Sequence, residues 1–207
     1  TLNGTVYLPD GTTPASNVRL TLFDSGTNSD LDSLDTGADG MYSFSVASGV
    51  YGFKLQVLTN SNLNPLSSYF ARKYLDNLNI TSDHTENIVL PFVQISGRTV
   101  DGNGVSVPNV QLSLPETNLG ALNGSAHYQI NGGIQSDQNG DFSFHVYPYA
   151  NYFVSLTPDA NATSVALTTL SGVDWSVDNN AEELVLEEKL TLNGTVYLPD
   201  GTTPASN

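Results

Sequence analysis

The seventeen residues TLNGTVYLPDGTTPASN occur twice in this chain, at residues 1–17 and again at 191–207, an offset of 190 residues. An unbroken identity of that length does not arise by chance. Whatever the chain folds into must be able to begin again after one period, as a tandem array does, or else one end was copied onto the other. Residues 191–207 therefore read as the first strand and turn of another repeat, and Leu192, Gly194, Val196 and Leu198 form its alternating inter-repeat strand.

A weaker repeat lies inside the period. LNGTVYLPDGTTPASNVRLTL at 2–22 parallels ISGRTVDGNGVSVPNVQLSL at 95–114, and DTGADGMYSFSV at 35–46 parallels QSDQNGDFSFHV at 135–146. VYGFKLQV at 50–57 pairs with NYFVSLTP at 151–158, and LNITSDHTENIVLP at 78–91 with WSVDNNAEELVLEE at 175–188. The period thus divides into two related units of ordinary domain size, 1–92 and 93–190.

Each unit alternates apolar and polar residues with a period of two. Val18, Leu20 and Leu22 share one face, as do Tyr42, Phe44 and Val46, then Tyr51, Phe53, Leu55 and Val57. Val110, Leu112 and Leu114, then Phe142, Phe144 and Val146, then Tyr152, Val154 and Leu156, repeat the scheme. Such alternation marks half-buried antiparallel strands. Turns at Asp10-Gly11, Asp39-Gly40, Asn103-Gly104 and Asn139-Gly140 space them as in a sandwich of short strands. The predicted fold is all-β, two tandem antiparallel β-sandwiches per period. The best helical candidate, 66–75, carries Leu66, Phe70 and Tyr74 at i, i+4 spacing, although a strand or loop fits as well.

Twenty-one acidic residues against six basic ones give a net charge of −15. Nucleic acid is an unsuitable partner, because affinity for it comes from Lys and Arg neutralising phosphates. Only 13% of residues are charged, so the remaining surface is Thr, Ser, Asn and Gly, which suits an exported protein. There is no cysteine, hence neither a disulfide nor a thiolate metal site. No stretch approaches 18 apolar residues and no leader opens the sequence, so neither a membrane span nor a signal peptide is expected within it.

Gly4, Val6, Pro14, Val18, Leu20, Gly40, Tyr42, Phe44 and Tyr51 in the first unit follow one scheme. Gly97, Val100, Pro108, Val110, Leu112, Asp137, Gly140, Phe142, Phe144 and Tyr152 follow it in the second. An opening G-x-V, a turn, a Pro, alternating Val/Leu, D-x-x-G-x-[FY]-x-[FV] and an aromatic-led strand resemble the carboxypeptidase regulatory-like and Cna-B-like repeats. That resemblance implies a transthyretin-like, or prealbumin-like, Ig-like β-sandwich, of a kind found in stalks, spacers and accessory domains of secreted proteins. It covers nearly all of both units, but through packing and turn residues. Many Cna-B-like domains also carry an internal Lys–Asn isopeptide bond. Of the three lysines here, Lys54 is out of phase with the apolar face of its strand and Lys189 lies at the junction between periods, so Lys54, Lys73 and Lys189 are poor candidates.

Asp137, Asn139 and Asp141 place three oxygen-bearing side chains in five residues, as a Ca²⁺ loop requires, although no Glu follows within forty residues to complete an EF-hand. Asp24, Asp30, Asp32 and Asp35 form a second acidic group. Tight turns favour the same residues for backbone reasons, so turns and a calcium-stiffened repeat both stand. His84, His127 and His145 lack zinc-pair spacing, no G-x-S-x-G elbow occurs, and Glu182-Glu183 and Glu187-Glu188 fall beside a strand as a solvated face. The chain reads as no enzyme. Trp175, Tyr147 and Tyr149, with Tyr128 in the long 115–134 loop, are candidate sugar-stacking rings, with core packing the alternative for Trp175. Sequons at Asn3, Asn79, Asn123 and Asn161, copied at Asn193, make a glycoprotein conceivable.

These features lead to a structural expectation: an extracellular, cell-surface chain whose partners are copies of itself, serving as a filament subunit or adhesin stalk. A carbohydrate-binding accessory module is the alternative. Successive repeats could join as beads, or residues 191–207 could complete a neighbour's sheet.

Overall fold

The computed structural model describes residues 1–58, 60–63, 69–114, 117–118, 126–128, 134–191, 193–199 and 201–205, without the side chains of 69–73, 117–118 and 126–128. Leu66, Asn123 and Leu192 lie outside the described residues, as do the side chains of Lys73 and Tyr128.

The elements are all strands. In the first unit they are β1 (Leu2–Tyr7), β2 (Val18–Asp24), β3 (Asp30–Asp35), β4 (Met41–Phe44), β5 (Gly49–Val57), β6 (Tyr69–Ile80), β7 (His84–Thr85) and β8 (Ile88–Val89). Then follow β9 (Val93–Val100), β10 (Gln111–Ser113), β11 (Thr117–Asn118), β12 (Ala126–Tyr128), β13 (Ile134–Gln135), β14 (Asp141–Val146), β15 (Tyr149–Thr157), β16 (Thr168–Trp175) and β17 (Asn179–Val185). Of the alternatives left open at 66–75, the chain is strand from Tyr69 onward, because Phe53 and Leu55 of β5 pair with Leu75 and Ala71.

In the first unit one sheet runs β4-β1-β7, with β8 also on β1, and faces a sheet holding β3-β2-β5-β6. The alternation explains the core: Leu2, Val6, Leu20, Phe44, Phe53 and Leu55 are all buried. Tyr42 meets Phe53 edge-on across the two sheets, ring centroids 5.5 Å apart. The second unit repeats this plan with β14-β9-β17 and β13-β10-β15-β16. There Phe144, Tyr152 and Trp175 pack ring against ring at 5.3 and 5.4 Å.

The internal repeat is visible in detail as well as in outline. Asn17 and Asn109, at matching positions, both adopt left-handed φ, 55° and 56°. Asn tolerates that region better than most residues. The hydroxyls of Thr36 and Ser136 accept the N–H groups of Val18 and Val110, the residues next after those two asparagines. The hydroxyls of Tyr51 and Tyr152 each donate back to a carbonyl just upstream, Ala47 and Tyr147.

Two features depart from the sequence reading. Pairing is not antiparallel throughout: β1 runs parallel to β7 and β8, and β9 parallel to β17, because the first and last strands of each unit lie side by side. The halves also share a sheet. β12, from the long second-unit loop, pairs antiparallel with β6 of the first unit, Ala126 opposite Ala71, and β11 extends it.

The parallel pairing explains two glycines. A Cβ on Gly4 would lie 1.8 Å from the Glu86 carbonyl oxygen, and one on Gly97 would lie 1.9 Å from that of Glu182. Both carbonyls belong to irregular stretches of the closing strand, so only a hydrogen lets the strands approach. Gly97→Ala is expected to cost about 1–3 kcal/mol by overpacking, lowering the thermal midpoint followed by circular dichroism by several degrees. Gly102→Ala, where a Cβ meets open space, should leave it unchanged.

Candidate functional site

The repeated segment is the part of this chain most nearly a site, and the fold shows it in two settings. In the first, β1 sits between β4 and the β7–β8 pair. Its amides and carbonyls are used on both sides: Val6 N–H bonds the Gly40 carbonyl at 2.9 Å, while the Asn3 and Tyr7 carbonyls accept Glu86 and Leu90 N–H at 2.8 and 2.9 Å. Asn87 Oδ1 takes the Thr5 N–H at 3.0 Å. The Tyr42 hydroxyl donates to the same Glu86 carbonyl that abuts Gly4. Burial, reinforced by Glu86, raises the pKa of that hydroxyl.

In the second setting the described residues of the segment, 191, 193–199 and 201–205, belong to no sheet. The local turn nevertheless forms in both copies. Leu8 N–H bonds the Thr13 carbonyl at 2.8 Å, Gly11 N–H the Leu8 carbonyl at 2.9 Å and Ala15 N–H the Val6 carbonyl at 2.8 Å. The copy reproduces these bonds as Leu198 to Thr203, Gly201 to Leu198 and Ala205 to Val196, at 2.8, 2.9 and 2.7 Å. Val6 is 0% exposed, whereas Val196 is 75% exposed and Leu198 46%. A Cβ on Gly194 would meet nothing.

The acidic residues singled out as calcium ligands are already engaged. Asp137 Oδ1 accepts the N–H groups of Asn139 and Asp141 at 2.7 and 2.9 Å, closing the β13–β14 turn. Those bonds, Asp141 first, hold its carboxyl below the usual range. Asp141 itself pairs with Arg98 at 2.7 Å. Asp30 pairs with Lys54, whose ammonium lies 5.7 Å above the Phe23 ring. Asp35 takes both the Nε and an Nη of Arg19, at 2.7 and 2.9 Å, which lowers its pKa. Asp24 bonds the N–H and hydroxyl of Thr27. Among the described residues, no three His, Cys, Asp or Glu side chains are grouped closely enough to hold a metal ion. Asp30, Asp32 and Asp35 lie instead along β3, an edge strand of its sheet, where charge discourages another chain from pairing.

Trp175 is 0% exposed and packed in the second core, so it offers no sugar platform. Its N–H faces the Glu182 carboxyl without reaching hydrogen-bond geometry, and burial raises the Glu182 pKa, partly offset by that N–H. Tyr149 packs edge-on against Tyr152 at 5.3 Å, and Tyr147 is partly buried against the core. Of the sequons, Asn79 and Asn161 are exposed, while Asn3 is half-buried on β1, its Oδ1 accepting the Thr85 hydroxyl at 2.9 Å. The interaction that sequence reasoning missed is the Gly4–Glu86 approach. Its signal was present as the paired glycines 4 and 97, each opening a unit.

No helix among the described residues is long and apolar enough to cross a membrane. No protein-family model matches the chain, and no curated protein matches it. Solved structures similar to it include the Bacillus anthracis TIE protein, at 14% identity and TM-score 0.36, covering 91% of this chain and 34% of that one. The shaft pilin SpaA of Lactobacillus rhamnosus GG is 13% identical with TM-score 0.40, covering 93% and 98%. A Bacteroides thetaiotaomicron DUF1812 protein, described as a candidate polysaccharide-binding protein, is 11% identical with TM-score 0.46, covering 89% and 90%. The chain thus spans about a third of the TIE chain's length.

Asp10, Asp24, Asp35, Asp83, Asp137 and Asp174 all have lowered pKa values. Asp10 falls from 3.8 to about 2 through the Thr13 hydroxyl and the Thr12 and Thr13 amides. A carboxyl with a depressed folded pKa contributes stability that is full above its unfolded pKa and lost as pH falls through the folded one. Glu182, with a raised pKa, acts oppositely, but it is one group against six. The urea midpoint should therefore drop between pH 5 and pH 2, and less steeply in Asp137→Asn. At neutral pH, thermal melts in EDTA and in millimolar calcium should coincide; a calcium-dependent rise would restore the metal reading.

Proposed function

We propose that this chain is a non-catalytic structural repeat of an extracellular filament or surface stalk, acting as a rod-like spacer whose length grows with repeat number. One observation carries the reading: the segment that folds as β1 of a sandwich returns, with the same turn already formed, directly after the second sandwich closes. A chain built this way continues end to end.

Two further features support it. Strand β12 pairs with β6 across the two units, tying them by main-chain bonds as well as by the junction itself, and this opposes bending. The surplus of acidic residues and the charged edge β3 disfavour side-by-side clumping.

Strands of this length imply about 60–80 Å per period. Chains carrying one and two 190-residue periods, compared by small-angle scattering and negative-stain microscopy, should differ in maximum dimension by about that increment. A doubled chain that gains width but no length would refute the spacer reading.

A further inference from the structure

The complement of residues 191–207 can be read from the molecule itself, because an identical segment is seen fully seated elsewhere in it. In that seat Leu2, Val6 and Ala15 are 0% exposed, held by β4 on one side and by β7 and β8 on the other. The strand pairing that holds the segment comes from residues 40–44 and 84–90 of the first unit, apart from the Thr1 ammonium's bond to Asp83, which an internal Thr191 would not make. A second copy of this chain supplies those residues unchanged.

We propose that residues 191–207 are a donor strand that seats in the β1 position of the first unit of a second copy of this chain, in the register β1 itself uses. The inference rests on the filament reading for its setting and names the partner as another copy. Three observations carry it. The donor's apolar side chains, Val196, Tyr197 and Leu198, are exposed here by 75%, 51% and 46%. Its turn is preformed through the Leu198, Gly201 and Ala205 bonds, so seating orders little that is not already ordered. Gly194 meets nothing in its present position, yet the seat has room for no more than a hydrogen there, against the Glu86 carbonyl.

Because donor and acceptor surfaces are different parts of the chain, the contact is head to tail and does not close on itself; repeated, it gives linear polymers. The resident strand 1–17 competes for the same seat. Being tethered, it acts at an effective concentration on the order of millimolar, so the dilute chain stays monomeric until the resident strand leaves. Gly4 provides the handle. A Cβ there would lie 1.8 Å from the Glu86 oxygen, so Gly4→Ala weakens the hold of the resident strand while leaving the donor intact, and lets the donor of a second copy compete for the seat.

Size-exclusion chromatography with light scattering on four full-length chains tests the inference. Wild type and Gly194→Ala should elute as monomers of 22.0 kDa with equal melting midpoints. Gly4→Ala should form polymers whose mean mass rises several-fold with concentration, whereas Gly4→Ala/Gly194→Ala should not. A synthetic peptide of sequence TLNGTVYLPDGTTPASN should return the Gly4→Ala polymers to monomers, and the same peptide with Ala for Gly should fail. If Gly4→Ala stays monomeric, if it aggregates to the same extent as the double variant, or if both peptides act alike, the donor-strand inference is wrong. The covalent spacer would survive that result, since the length increment per period tests it separately.

Discussion

The close approach of each unit's first strand to its last holds the two sandwiches together. Gly4 lies under the Glu86 carbonyl and Gly97 under that of Glu182, at distances no side chain allows. Given that contact, β1 and β9 can each be paired on both sides, antiparallel to β4 or β14 and parallel to the closing strand. A strand bonded on both edges buries alternate residues and brings the sheet's inner face onto the β2–β5 or β10–β15 layer. Without the glycine the closing strand would stand away, and Leu2, Val6 or Ile95 would lose their cover.

Charge has a different task in this molecule. Arg19, Lys54 and Arg98 are each spent on an aspartate at a strand or turn, and most described acidic groups cap turns or line an edge. Asp30, Asp32 and Asp35 lie along the exposed edge strand β3. Exposed pairs of this kind contribute little stability each. Along β3 their effect is to discourage another chain from pairing with that edge.

Much of the fold could be read from the sequence. Alternation along 18–22, 42–46, 50–57 and 142–146 marked strands that are present, because a half-buried sheet forces a period of two. Turn residues marked the hairpins for equally local reasons: Gly11, Gly40 and Gly140 adopt positive φ that other residues resist. What could not be read was pairing at long range. The parallel β1–β7 and β9–β17 contacts, and the β12–β6 bridge between units, join segments far apart in the chain, and no local pattern records which edge meets which. The spacing at 66–75 left helix, strand and loop open for the same reason, and from Tyr69 onward pairing with β5 makes it strand.

The two copies of TLNGTVYLPDGTTPASN separate these contributions within one molecule. The sequence alone determined the turn, because Asp, Gly and Pro set the backbone locally, and the hydrogen bonds from residues 8, 11 and 15 recur at 198, 201 and 205. Only the tertiary structure decided whether that segment is a strand of a core. Val6 is sealed and Val196 exposed, with identical neighbours in sequence, because burial needs the β4 and β7–β8 edges on either side, and these come from distant parts of the chain.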